Sequence, residues 1–258
     1  MFTYYKQKEF GNLAIVPAVK ANMEDAQVST TIMFNDEKPI ATVYKAPSLT
    51  KDEAQQKAYD IFKEMNVDTS SIEIIDYQNE ANYRYHGEPS YFIWLHFLDG
   101  SYEMTDFSSF DVELADIDEQ TLTSSLQKMG VTIPDTAQFE RTDVGRYEWK
   151  INQFEDDNQL IEGTLNVAYY QDQTIKNVEN KIVKYEKVRE IKLKSEQQAY
   201  NELLEGKFKT YDKNIKELQI QQVKLAYELD SKGFYQPIYE FSGTINGEKS
   251  VISIPGIE

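Results

Sequence analysis

Cysteine is absent from this chain of 258 residues, and histidine occurs only twice. The lack of cysteine excludes disulfides, thiol catalysis and zinc sites with cysteine ligands. Two histidines leave little room for imidazole catalysis or a histidine-based metal cluster. The sequence therefore indicates no catalytic residue, no cofactor-binding residue and no metal ligand.

Glycine and proline are also scarce, with 11 and 7 residues, whereas tyrosine and phenylalanine number 18 and 13. Disordered chains are poor in aromatic residues, so this composition predicts order nearly throughout. The chain has no run of about 20 apolar residues that would span a membrane. Its first residues lack the pattern of a signal peptide, so we expect a cytoplasmic protein if Met1 is the native start, or an exported one whose signal was removed.

Negative charge dominates, with 44 Asp and Glu against 27 Lys and Arg, a net charge of −17. Such a chain is repelled by phosphate backbones, which argues against nucleic-acid binding. Positive charge is concentrated between residues 176 and 224. There we expect either a surface for an acidic partner or anionic lipid, or an edge strand protected by lysines. The candidate partner-binding residues of this segment are Lys184, Lys187, Arg189 and Lys192.

Three segments predict amphipathic helices, because apolar residues recur in them at helical spacing. Each follows a residue that can cap a helix, at Thr50, Asp118 and Ser195. Most of the remaining chain predicts strands, and Asn246-Gly247 predicts a two-residue hairpin turn.

The order of hairpin, capped helix, strand and hairpin occurs twice. Tyr59 and Tyr200 hold equivalent helix positions, and Phe97 and Phe241 hold equivalent strand positions, at nearly the same offset. This predicts an internal duplication. The predicted fold class is α+β, with two related units at 1–112 and 113–258, each an antiparallel curved β-sheet with a helix packed on one face.

The strand predicted at 91–98 places Trp94 and His96 on one face and Ile93 and Leu95 on the other. Because both faces are apolar, we expect both to be covered. His96 is either a ligand or proton shuttle, or a half-buried residue at a contact between the two units. The second interpretation is favoured, because no nucleophile or second ligand lies nearby in sequence. Trp94 and His96 are further candidates for partner binding.

Two patterns that suggest ion binding are incomplete. The segment 243–250 has three residues between its glycines, and Glu248 precedes Lys249, so it predicts a hairpin turn and not a phosphate loop. The acidic runs at 111–119 and 155–157 lack the layout of a calcium loop. A weak surface cation site at one of these runs is the alternative.

Strand order and aromatic placement in roughly the last 110 residues resemble the C-terminal region of the YycI/YycH accessory proteins of Gram-positive bacteria, and more broadly PepSY-like domains. The segments that carry the resemblance are 161–167, 183–185, 223–227, 235–241 and 252–255. It implies an extracytoplasmic protein, anchored by an N-terminal membrane helix or lipid, that binds other proteins, notably a membrane sensor kinase. The chain departs from that pattern in lacking the anchor, and no site residue is carried over.

We therefore predict a non-enzymatic, extracytoplasmic binding or regulatory protein that acts through protein–protein contacts and uses no cofactor. It would meet a membrane only through an anchor. One alternative is a small-molecule carrier with a pocket between the two units. The other is a hydrolase that uses surface carboxylates, although nothing in the sequence selects a pair of them.

Overall fold

A computed structural model of the chain describes residues 9–13, 19–107, 112–155, 158–211 and 214–257. In those residues the helices are α1 Lys51–Glu64, α2 Glu119–Lys128 and α3 Glu196–Leu204, with a short 3-10 helix at Thr69–Ser71. The strands are β1 Val19–Lys20, β2 Gln27–Thr30, β3 Ile40–Lys45, β4 Ile72–Asp76, β5 Glu80–Tyr85, β6 Tyr91–His96, β7 Tyr102–Asp106, β8 Gln138–Asp143, β9 Arg146–Glu155, β10 Gln159–Tyr169, β11 Ile175–Asn180, β12 Val183–Lys192, β13 Lys209–Thr210, β14 Glu217–Leu229, β15 Phe234–Ile245 and β16 Glu248–Pro255. The α+β class is thus confirmed.

The described residues form two compact units, one within 1–45 and 187–258 and the other within 46–186. This division does not follow the predicted one at 112/113. The reason is strand pairing: β11 pairs with β7, so strands from both sides of residue 112 share one sheet. The proposed duplication remains a prediction.

The second unit, within 46–186, is built on an antiparallel sheet in the order β4-β5-β6-β7-β11-β10-β9-β8. Side chains alternate between the two faces along each strand, which gives this sheet one apolar face. Helices α1 and α2 pack on that face and share its core. Burying large apolar side chains contributes roughly 1.5–3 kcal/mol each. Fully buried members of this core include Phe62, Leu95, Leu122, Leu126 and Leu165.

The first unit has its own sheet and core. Strand β15 pairs with β14 on one side and with β3 and β16 on the other, all antiparallel. Strand β2 adds to β14 in parallel, which departs from the predicted all-antiparallel sheet. Helix α3 packs on the sheet through Ala199 and Leu203, against Phe241 and Ile254.

The three predicted helices are present, and side chains cap each of them. Thr50 and Ser195 form capping boxes with Glu53 and Gln198, and Asp118 caps α2. These bonds satisfy N–H groups that the first helical turn leaves without partners. No helix in the described residues is long and apolar enough to cross a membrane.

The predicted hairpin turn at Asn246-Gly247 is also confirmed. Both residues have positive φ, 51° and 86°, as the two central positions of a type I′ turn require. Glycine meets this requirement without strain, and asparagine tolerates it. The segment 243–250 is therefore a β-hairpin.

Candidate functional site

Strand β6 has one fully buried face and one partly exposed face, which we call the open face, so the expectation that both are covered holds in full for the first face alone. Ile93 and Leu95 are fully buried against the helices of the second unit. Phe92, Trp94 and His96 lie on the opposite face and are only partly buried. The hydrophobic composition of the second face is therefore not explained by a helix layer.

Four aromatic rings on this open face form two stacked pairs. The rings of Tyr77 and Trp94 lie 5.6 Å apart at 10°, and those of Phe92 and Phe107 lie 4.8 Å apart at 11°. Tyr77 is 43% exposed and Phe107 is 39% exposed. We call Tyr77, Phe92, Trp94 and Phe107 the aromatic patch. Stacking holds the rings in place while leaving apolar surface in contact with water.

Polar residues border the aromatic patch. His96 pairs with Glu80, which lies directly opposite it on β5, with 3.0 Å between Nδ1 and a carboxylate oxygen. Asn82 lies opposite Trp94 and is almost fully buried, and its Oδ1 accepts a hydrogen bond from Nε of Arg84. His96 thus contacts a carboxylate of its own unit and belongs to the border of the patch.

The four predicted basic residues all lie on β12. Lys184 belongs to the second unit, whereas Lys187, Arg189 and Lys192 belong to the first. Strand β12 pairs with β10 through residues 183–186 and also neighbours β3, so it is not the edge strand that the alternative interpretation required. Lys187 forms an ion pair with Glu190.

Arg189 is bound by an N-terminal segment of its own unit. Its guanidinium lies 2.6 Å from the carboxylate of Glu9 and 5.6 Å from the ring centre of Phe10. The amide of Gly11 donates to the fully buried carboxylate of Asp230, at 2.6 Å. Asp230 was not predicted from the sequence, because nothing in the turn at 230–234 indicates that Gly11 contacts it.

The second unit also contains a buried ionic cluster. Nζ of Lys176 lies 2.8 Å from Asp172 and 3.8 Å from Asp106. Burial opposes ionisation of Asp172, but hydrogen bonds from Lys176 and Thr174 outweigh it, and the pKa of this carboxyl falls below its ordinary value. The cluster was missed because Lys176 looked like one of many surface lysines in a basic segment.

The units contain shallow clefts of moderate size. A cleft of about 830 Å³ in the first unit is bordered by residues 9–13, Arg189, Gln236 and Val251. In the second unit, a cleft of about 610 Å³ is bordered by Tyr91 and the ionic cluster. Another, of about 600 Å³, lies beside Lys57 on α1. The described residues contain no group of three or more His, Cys, Asp or Glu that could hold a metal ion.

Comparison with known proteins gives weak structural similarity to solved structures. No protein-family model matches the chain, and no curated protein matches it. An uncharacterized protein from Eubacterium rectale is 9% identical, with 90% of this chain and 87% of that one covered and a TM-score of 0.38. The C-terminal domain of YpeB from Bacillus megaterium is 13% identical, with 81% of this chain and 94% of that one covered and a TM-score of 0.27. The YpeB domain is thus a weak structural neighbour.

Proposed function

We propose that this chain is a non-enzymatic binding protein that recognises another protein through the open sheet face of its second unit. The aromatic patch is the observation that carries this proposal. Phe92 and Trp94 lie two residues apart on β6, and each stacks with an aromatic residue that directly follows a strand, Phe107 after β7 and Tyr77 after β4. These two outer rings are more than a third exposed. Large aromatic side chains dominate the energetics of many protein interfaces.

The shape of the face favours a protein partner. A sheet surface offers a broad contact area, whereas small molecules bind in clefts that enclose most of their surface. Trp and Tyr supply contact area with few rotatable bonds, so ordering them on binding costs little entropy. The polar residues His96, Glu80 and Arg84 beside the rings match the polar rim that surrounds the apolar core of a protein interface.

The experiment that tests this compares variants of one aromatic residue on the patch and one away from it. Wild type, Trp94→Ala and Tyr211→Ala are immobilised, and a membrane extract is passed over each. Tyr211, in the first unit and 77% exposed, is the matched control for losing an exposed aromatic ring. A protein retained by wild type and Tyr211→Ala but lost with Trp94→Ala supports the proposal. Equal recovery on all three would contradict it.

The predicted basic residues are tested in the same experiment. Charge reversal at Lys187, Arg189 and Lys192 changes the first unit and leaves the aromatic patch intact. Loss of the same retained protein would show that β12 contributes to binding. Unchanged recovery would leave a structural role for these residues.

We also propose a regulatory role outside the membrane of a Gram-positive cell, with a membrane sensor as the partner. This part is supported by the resemblance to YycI/YycH and PepSY-like proteins. The test is to express the natural gene with its upstream region and treat whole cells with protease. Digestion of the protein in intact cells supports the proposed location, and full protection contradicts it.

The cleft of about 830 Å³ in the first unit favours a second candidate, a small-molecule carrier. Its volume lies in the range of typical ligand sites. Native mass spectrometry of the purified chain tests this candidate. A bound mass that is lost in an Arg189→Ala variant supports it, and a spectrum of the bare chain alone contradicts it.

A further inference from the structure

A row of carboxylates continues the open face of the second unit beyond the aromatic patch. Strand register places Trp94 of β6 opposite Glu103 of β7, and Glu103 opposite Glu179 of β11. Beyond Asn166 of β10 the same row continues through β9 and β8. The acidic row, as we call it, consists of Glu103, Glu179, Glu148 and Glu140.

The arrangement of this row is unfavourable for the isolated chain. Glu103 lies directly opposite Glu179, and Glu148 lies directly opposite Glu140. Like charges at directly opposed positions of neighbouring strands destabilise a sheet. Departures of this kind from sheet-pairing rules are expected at functional sites.

The neighbouring cations neutralise the row only in part. Glu179 pairs with Lys181 and also accepts a hydrogen bond from Asn166, at 3.3 Å. For Glu103, Glu140 and Glu148, the described part of the chain provides no ion pair. The row thus carries four formal negative charges beside an apolar patch.

We infer that the acidic row and the aromatic patch together bind a basic segment of a protein partner. The inference rests on the proposed function and adds the chemistry of the partner. An apolar residue of the segment would pack on Trp94 and Phe92, and its Lys or Arg side chains would pair with the row. Complementary charge of this kind increases association rates and excludes acidic competitors.

The spacing of the strands sets the length of this segment. Strands lie about 4.8 Å apart, so the five steps from β6 to β8 span about 24 Å, which about seven extended residues would cover. Arg84 and Arg146 lie in the adjacent row, opposite Phe92 and Ala168. Their positive charges make that adjacent row less favourable for a basic segment than the acidic row.

The experiment uses two synthetic peptides of equal length as probes. Each begins with leucine, and one then alternates lysine with serine while the other alternates glutamate with serine. Binding is followed by Trp94 fluorescence in a Trp149→Phe background, since Trp149 is the other tryptophan and is buried. The lysine peptide should bind, and its affinity should fall as salt is added. Equal binding of the glutamate peptide would overturn the inference.

Matched charge variants distinguish binding by the acidic row from binding that depends on net charge alone. Glu103→Gln with Glu148→Gln should weaken the lysine peptide about tenfold or more. Glu24→Gln with Glu37→Gln removes the same charge from exposed positions of the first unit and should change affinity less than about twofold. Equal weakening by both double variants would overturn the inference, because binding would then follow net charge alone.

Two further outcomes distinguish a protein segment from a small polycation, and failure of this inference from failure of the proposed function. Displacement of the lysine peptide by free spermine at equal total charge would overturn the assignment to a protein segment. A captured protein that requires Trp94 but tolerates Glu103→Gln with Glu148→Gln would overturn this inference and leave the proposed function standing. A capture that does not depend on Trp94 would contradict the proposed function itself.

Discussion

An Oδ atom of Asp106 lies 3.8 Å from Nζ of Lys176, and each of these charged side chains is only 5% exposed. Asp172 lies closer to the same ammonium group, at 2.8 Å, and is 35% exposed. Removing charges from water costs several kcal/mol per ion, which close pairing offsets. Lys176 therefore keeps the buried carboxylate of Asp106 compatible with the interior of the second unit and also pairs with the more exposed Asp172.

Replacing Lys176 tests this role. Lys176→Met removes the ammonium group that lies beside Asp106 and Asp172 in the cluster and should lower the free energy of unfolding by about 3–5 kcal/mol. Adding Asp106→Leu removes the buried carboxylate and should restore much of the loss. Urea unfolding of both variants provides the measurement. A single variant as stable as wild type would show that the cluster does not depend on the ammonium group.

The lowered pKa of Asp172 predicts a pH-dependent contribution to stability. Its carboxylate is stabilised in the folded state, so the contribution is complete above the unfolded-state value and is lost as pH falls through the lower folded value. Asp172→Asn should therefore be less stable than wild type at neutral pH, and the difference should narrow in acid. Urea unfolding over a pH series measures this, with Asp25→Asn as a control outside the cluster. A difference that does not change with pH would contradict it.

The helices and the last hairpin turn were predictable because their signals are local. A capping box occupies four consecutive residues, and the positive φ values at Asn246 and Gly247 follow from two. The open face of β6 was not predictable, since it depends on what packs across the sheet. The acidic row depends on register between β7 and β11, whose residues Glu103 and Glu179 lie far apart in sequence.

The role of Asp230 was not predictable either, because it bonds to Gly11, which lies far from it in sequence. This contact yields a prediction about the N-terminal segment. The two carboxylate oxygens of Asp230 accept hydrogen bonds from the amides of Gly11, Lys232 and Phe234 and from the side chain of Gln236. Asp230→Asn retains one oxygen for the turn, while its amide group can donate to Gln236 after that side chain flips. The amide of Gly11 alone loses its acceptor.

Hydrogen exchange measures this effect directly. The amide of Gly11 should exchange faster in Asp230→Asn, while those of Lys232 and Phe234 remain protected. Ser231→Ala is the matched control, because it removes a different contact of the segment, the 3.0 Å bond from the amide of Asn12. Equal protection of Gly11 in Asp230→Asn and wild type would show that Asp230 does not hold the segment.

Removing the cap of α3 should lower the free energy of unfolding slightly, by an amount that depends on the residue that replaces Ser195. Oγ of Ser195 accepts a hydrogen bond from the amide of Gln198 at 3.1 Å, and the side chain of Gln198 accepts one in return from the amide of Ser195. Ser195→Ala should cost about 1 kcal/mol of unfolding free energy, whereas Ser195→Gly should cost only a few tenths. Urea unfolding distinguishes them, and equal losses in both would argue against capping as the cause.

The acidic row predicts that Glu103 favours binding of a basic partner and at the same time lowers the stability of the free chain. Because Glu103 lies directly opposite Glu179, Glu103→Gln should raise the free energy of unfolding, by about 0.2–1 kcal/mol. Glu217→Gln is the matched control, since Glu217 is an exposed strand residue opposite the neutral Gln27. The comparison is made by urea unfolding at low salt, where the repulsion is least screened. A gain at Glu103 that disappears at high salt, with none at Glu217, would show that the fold retains a repulsion between Glu103 and Glu179, which a bound cation could relieve. No gain at Glu103 would contradict that repulsion.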